Sequence, residues 1–297
     1  EEFIFMPRAR FLFKPKKWKR DISFKIATGL YHQPPFYREL RDQAGNVNEE
    51  VVSQKSWHLV LGSTYDFYWQ GRRFRFLSEG YYKKLWDVVP YDIDNVRLRY
   101  YGDNLAEGYV TGLDFRLNGE FVKDTESWIN LSFLRARERF IGVDHKIRTV
   151  ENPDTALIVS DVSRPTDRFF NLSMFFQDYL PQNENFKVHL MLTFGSSLPF
   201  GLPEDNVEFR NIYRFSPYRR VDIGFSAALW NQKWKYTKPK HPLRKFENVW
   251  VSLEIFNLLK VANTSSNTWV KTIFLQQYAV PNYLTSRRIN LRFKFDL

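Results

Sequence analysis

The sequence predicts an all-β protein: a transmembrane, antiparallel, up-and-down β-barrel with about eleven strands present, short turns at one end and long loops at the other. Three observations predict it. Apolar and polar residues alternate with period two along the chain, as they do when successive strand side chains point to opposite faces. Most of the alternating runs reach about ten residues, the length a tilted strand needs to cross a bilayer. The connections between runs alternate strictly between short and long, which a water-soluble sandwich has no physical reason to do.

The elements follow in order. Strands are expected near 3–13, 21–33, 55–70 and 73–86, where the alternation is noisy. The next is cleaner: Tyr109, Thr111, Leu113, Phe115 and Leu117 alternate with Gly112, Asp114, Arg116 and Asn118. Ile129, Leu131 and Phe133 alternate with Asn130 and Ser132, and a further strand is expected at 168–179. Val188, Leu190, Leu192 and Phe194 form one face of the eighth strand, and Val221, Ile223, Phe225 and Ala227 one face of the ninth. Val249, Val251, Leu253 and Ile255 alternate with Trp250, Ser252, Glu254 and Phe256. Last, Ile289, Leu291, Phe293 and Phe295 alternate with Asn290, Arg292 and Lys294. Short connections are Lys14–Arg20, Gln70–Arg72, Lys123–Glu126 and Pro181–Asn185, with a middling basic segment at 231–246 in a short-side position. Long ones are Pro34–Gln54, Asp87–Glu107, Ile141–Asp167, Ser196–Tyr218 and Lys260–Thr285.

Composition agrees. The 297 residues include 28 Phe, 16 Tyr and 9 Trp, too many aromatics for a disordered chain, yet they carry a net charge of +11. Mean hydropathy is −0.46, because apolar and polar faces cancel in the average. With no cysteine there is neither a disulfide scaffold nor a thiolate metal site. Aromatics near strand ends (Phe67, Tyr68 and Trp69, then Trp86, Trp128, Trp230, Trp250 and Tyr283) suit the headgroup level of a membrane. An odd strand number cannot close on itself in an antiparallel barrel, so the chain is expected to be part of a larger one.

An ordered set of motifs then resembles a family. Gly29-Leu30-Tyr31-His32-Gln33-Pro34-Pro35-Phe36-Tyr37-Arg38-Glu39 comes first, then Tyr81-Tyr82-Lys83-Lys84-Leu85-Trp86-Asp87-Val88-Val89-Pro90-Tyr91 leading into Asp94-Asn95-Val96-Arg97. Gly108-Tyr109-Val110-Thr111-Gly112-Leu113-Asp114-Phe115-Arg116 and Glu126-Ser127-Trp128 follow. Ser252-Leu253-Glu254-Ile255-Phe256-Asn257-Leu258-Leu259 and Ala279-Val280-Pro281-Asn282-Tyr283-Leu284-Thr285-Ser286-Arg287-Arg288 close the set. Over essentially its whole length the chain resembles the C-terminal barrel portion of Bacteroidota-type TonB-dependent outer-membrane receptors.

The resemblance implies a 22-stranded barrel with a plug inside, of which residues 1–297 would be the second half with the plug absent. It implies a Gram-negative outer-membrane location and uptake of a scarce nutrient such as an iron chelate or another large solute. The implied partners are membrane lipid and lipopolysaccharide, the plug and remaining strands, and TonB through the missing N-terminal part. The chain departs from the family in ending Phe295-Asp296-Leu297 rather than on an aromatic residue. Which ligand is carried is not readable. Two alternatives stand beside this reading: a closed outer-membrane enzyme barrel of 10–12 strands, protease or lipase in type, and a surface adhesion barrel.

Site candidates follow from parity and from loop position. Opposite the apolar face, Asp114, Arg116, Asn130, Ser132, Asp222, Glu254 and Asn290, together with Arg292 and Lys294, are expected to face the lumen. On the long loops, Tyr37, Arg38, Arg97, Arg99, Tyr100, Tyr101, Arg148, Arg210 and Arg214 combine guanidinium and phenol groups suited to anionic or aromatic solutes. No cofactor or metal is expected, since the five histidines are scattered and no HExxH, GxSxG or phosphate loop occurs. Asp144-His145 is the single acid–base dipeptide that an enzyme reading could use. Nucleic acid is not an expected partner, because the basic residues are spread over turns and rims.

Overall fold

A computed structural model describes residues 4–123, 125–148, 155–180, 183–202, 207–234, 240–274 and 276–297. The expected turn at Pro181–Asn185 and the segment at 231–246 therefore lie partly outside the described residues. Eleven strands pair in sequence into one antiparallel sheet: β1 Arg8–Phe13, β2 Asp21–Gln33, β3 Gln54–Trp69, β4 Arg72–Val88, β5 Ala106–Val122, β6 Thr125–Phe140, β7 Phe170–Leu180, β8 Asn183–Gly195, β9 Tyr218–Asn231, β10 Asn248–Phe256 and β11 Arg288–Asp296. Four of them reach 16 or 17 residues, about three times an ordinary soluble strand. The expected strand at 3–13 is shorter, because the chain becomes a strand only at Arg8. Among the described residues β1 and β11 pair with nothing on their outer sides, so the sheet is open.

The register makes the two faces continuous from strand to strand. Lys25 lies opposite Gly62, Gly62 opposite Glu79, Glu79 opposite Asp114, and Asp114 opposite Ser132. Arg116 lies opposite Asn130, Met191 opposite Asp222, and Glu254 opposite both Gly224 and Asn290. This polar face is crossed by charge pairs such as Lys25 with Glu79 and Arg292 with Glu254 at 2.8 Å. The other face is apolar and open: Leu61 and Leu113 are about half exposed and Ile289 is 71 % exposed. Water would not tolerate an apolar belt running over eleven strands, and lipid would.

Aromatic rings mark both rims of the apolar face. At the loop end Trp57, Tyr82 and Tyr109 lie side by side at 6.3 Å spacing. At the turn end Phe67, Trp69 and Phe121 surround Phe74, and Tyr65 stacks on Phe67. Phe74 lies flat across Gly119, where a Cβ would come within 2.5 Å of the ring, so only glycine admits it. Several expected girdle residues behave otherwise, beginning with Tyr68, which lies opposite Arg73 on the face of Gly62 and Asp66. Trp128 and Trp250 belong by register to the polar face, where Arg116 and Lys187 sit over their rings. Trp230 is fully buried, its indole N–H donated to the Phe246 carbonyl at 2.8 Å. Bulges interrupt the ladder near strand ends, as between Leu85 and Val88 and between Ala228 and Trp230, where they end the pairing and redirect the chain.

Candidate functional site

All five long connections leave the same end of the sheet, and the structure gives them secondary structure that alternation did not reveal. Tyr91–Asp94 pairs with Arg97–Tyr100, His145–Ile147 with Leu157–Val159, Pro199–Phe200 with Tyr213–Arg214, and Thr264–Lys271 with Gln277–Tyr283. Half a signal for the first was present in Asn95: Asn95-Val96 forms a two-residue turn in which both residues have positive φ, 45° and 67°. Asparagine tolerates that region; valine does not, and Val96 is held there against its preference.

Arg210 joins the hairpins. It is 4 % exposed and bonds Glu138 at the top of β6 at 3.0 Å, the Asp92 carboxylate and the Tyr91 carbonyl. Glu138 is 1 % exposed and also holds Arg164 at 3.2 Å. Burial works against the Arg210 cation, but Glu138 and Asp92 outweigh it and raise its pKa. Tyr101 donates its hydroxyl to Asp92 at 2.8 Å, and burial together with that carboxylate pushes the phenol well above its usual range. A second clamp lies alongside. Asp167 accepts Arg214, Ser163 at 3.1 Å and the Ala136 amide at 2.8 Å. Arg210 and Arg214, expected as solute contacts, hold loops together, and Arg210 and Tyr101 also line the cavity above them.

His145 belongs to the same unit. It is fully buried; Nδ1 donates to the Val207 carbonyl at 3.0 Å, and Nε2 accepts the Phe140 amide at 3.0 Å. Both ring nitrogens are occupied in the neutral form, so the Asp144-His145 dipeptide is not an acid–base pair. Burial pulls the His145 pKa below 6.5. A base depressed on folding is protonated more readily when unfolded. Its contribution is thus complete above the unfolded pKa of 6.5 and is lost as pH falls below that value. Measured against the intrinsic exchange rate at each pH, amide protection at Phe140 and at residues 207–209 is expected to fall between pH 7 and pH 5, and His145→Gln to remove that pH step.

A cavity of about 270 Å³ opens over this platform. One wall is aromatic: Phe200 stacks on Phe215 at 4.4 Å and approaches Tyr213 and Trp269 at 5.6 and 6.4 Å. The other carries Arg99, paired with Asp94 at 3.0 Å, and exposed Arg148 over the Phe209 ring at 5.2 Å. Arg148 has no carboxylate partner among the described residues. The remaining loop candidates lie outside the cavity. Tyr37 is exposed beneath Arg41, Arg38 and Arg97 are exposed, and Tyr100 packs on Tyr91 at 5.6 Å. On the polar face Asp222 and Glu254 are nearly buried, engaged by Arg220 and by Asn290 with Arg292, whereas Asp114 is half-buried. Sequence reasoning missed Arg168, one residue beyond the expected loop. It is half-buried over Tyr218, with no carboxylate partner among the described residues, and burial lowers its pKa.

No family model and no curated protein matches the sequence. Solved structures do. The siderophore receptor PiuA from Acinetobacter baumannii superposes with a TM-score of 0.62 at 14% identity, over 97% of this chain and 35% of its own. The copper transporter OprC gives 0.60 at 13% identity, over 97% and 38%. The ferric-catecholate import receptor Fiu from E. coli K12 gives 0.60 at 13% identity, over 96% and 34%. The fold is that of an outer-membrane transporter barrel. At these identities the likeness is one of fold, and the chain spans little more than a third of the length of each neighbour. Within that fold, the clamped loops and their cavity sit at the mouth of the barrel wall.

Proposed function

We propose that the chain is the barrel part of a TonB-dependent outer-membrane receptor of the Bacteroidota type, taking up a scarce solute from outside the cell. The observation that carries this is the pairing of a two-faced, membrane-length sheet with five long loops, all at one end and clamped into a platform around a cavity. Strands fix the loops and loops present the contacts, a division suited to capture. The open edges of β1 and β11 would be met by the remaining strands, since unpaired backbone groups are costly in lipid. The polar face would line the lumen and meet the plug, with Asp114, Arg116, Asn130 and Ser132 as its central contacts. TonB would act through the plug-bearing segment, and lipopolysaccharide would surround the loop end.

The cavity favours a solute with an anionic group and a flat or apolar face, because the Arg148 guanidinium, without a carboxylate partner among the described residues, lines it together with the rings of Phe200, Tyr213, Phe215 and Trp269. A ferric catecholate, the solute for which the neighbour Fiu is named, is one class that fits. The enzyme alternative loses ground because His145 is engaged by backbone on both nitrogens. The test is growth of a deletion strain, complemented with the full-length receptor, on defined chelates and other large solutes. For the solute that restores growth, Arg148→Ala or Phe200→Ala is expected to weaken cell-surface binding roughly tenfold. Unchanged binding in both variants would move the capture site elsewhere.

A further inference from the structure

The turn end of the sheet carries a feature that solute capture does not use. Lys14-Pro15-Lys16-Lys17-Trp18-Lys19-Arg20 joins β1 to β2 with five basic residues and no acid. The connection from β9 to β10 repeats the composition: Lys233 to Lys245 holds six basic residues, Trp234 and no acid. The other turn-end connections have no such run.

The position of Trp18 decides which way the first turn faces. It is 54% exposed and meets Phe24 edge-on at 5.9 Å. By register Phe24 lies on the apolar face with Ile26, not on the face of Lys25. The turn therefore lies against the rim of the lipid-facing surface rather than folding over the lumen. The described ends of the second connection do the same: Trp230 pairs with Val249 on the apolar face, with Trp234 and His241 packed against its ring. Beside the first turn a cleft of about 510 Å³ is lined by Lys19 and Arg20 of the turn and by Tyr65 and Phe67 of the apolar face, and it reaches Tyr68 and Arg73 of the polar face at the strand end. The two carboxylates at its edge are already neutralised, Asp21 by Lys14 at 2.6 Å and Asp66 by Arg75 at 2.7 Å.

We infer that this rim binds the headgroups of anionic phospholipids in the leaflet at the turn end, with the 14–20 turn and its cleft as the principal site. The cations would meet the phosphate while Trp18, Tyr65 and Phe67 lie against the upper acyl chain, a division that amphipathic rings and snorkelling lysines make at an interface. The inference rests on the membrane-barrel reading.

The test uses the full-length receptor inserted into vesicles of phosphatidylcholine mixed with phosphatidylglycerol. Strand protection from protease scores insertion, and the lipid retained on extraction into polymer discs scores preference. Phosphatidylglycerol is expected to be enriched over its bulk fraction. Lys16→Ala/Lys17→Ala/Lys19→Ala/Arg20→Ala is expected to cut that preference about tenfold, and high salt to weaken it. Arg38→Ala/Arg97→Ala, at the opposite end, should leave it intact. Insertion with the bulk lipid ratio would overturn the inference and leave the turn to an acidic protein surface. Failure to insert into either lipid would overturn the barrel reading itself.

Discussion

Glu138→Ala is expected to release the loop platform while leaving the sheet standing. Glu138 is 1 % exposed and neutralises both Arg210, itself 4 % exposed, and Arg164. Removing one partner of a buried pair leaves an uncompensated charge, at a cost of about 3–5 kcal/mol. That cost falls locally, because Arg210 is what connects β6 to the 91–100 hairpin through Asp92 and Tyr91. Amide exchange at residues 91–101 and 207–214 should accelerate by about two to three orders of magnitude, with the strand circular dichroism unchanged. Glu138→Gln keeps a hydrogen-bond acceptor and should fall between. If the alanine variant kept wild-type loop protection, Arg210 would not be the clamp.

Leu113→Arg should impair insertion where Ser132→Arg does not. Leu113 lies mid-strand in β5, half exposed on the apolar face. An arginine at the bilayer midplane of a barrel's lipid face costs about 2–4 kcal/mol. Ser132, at the same height on the neighbouring strand, belongs to the face of Asp114 and would place its guanidinium beside that carboxylate. Folding yield and denaturant midpoint in vesicles separate the two. Equal effects would show that the two faces are not lipid and lumen.

Much of the sheet was legible because alternation is a local code. Each strand reports its own two faces, and neighbours must agree in register, so Asp114, Asn130, Asp222 and Glu254 fall on one face without any three-dimensional information. The mouth was not legible for the opposite reason. Arg210 and Arg148 look alike as arginines on long loops, and only spatial neighbours make the first a buried clamp and the second an exposed cation in a cavity. His145 is a similar case, because its partners are backbone groups that carry no sequence signature. Trp128 and Trp250 were misassigned by proximity to strand ends, although parity already placed them on the polar face. The hairpin at 91–100 carried half a signal, since Asn95 suits its turn and Val96 argues against it.

The hydroxyl of Thr268 donates to the Asn95 side chain at 2.8 Å, joining residues 173 apart in sequence. Arg210 and Asp92 are 118 apart. By contrast, most ladders of the sheet join strands adjacent along the chain. Assembly of this protein therefore has two clocks. The wall can grow hairpin by hairpin, paying little loop-closure entropy at each step, while the mouth has to wait for the last loop to arrive. A nascent chain stopped before Thr264 would own nearly all its membrane surface and lack the far side of its opening. The rim is then a built-in report on whether the wall beneath it is complete.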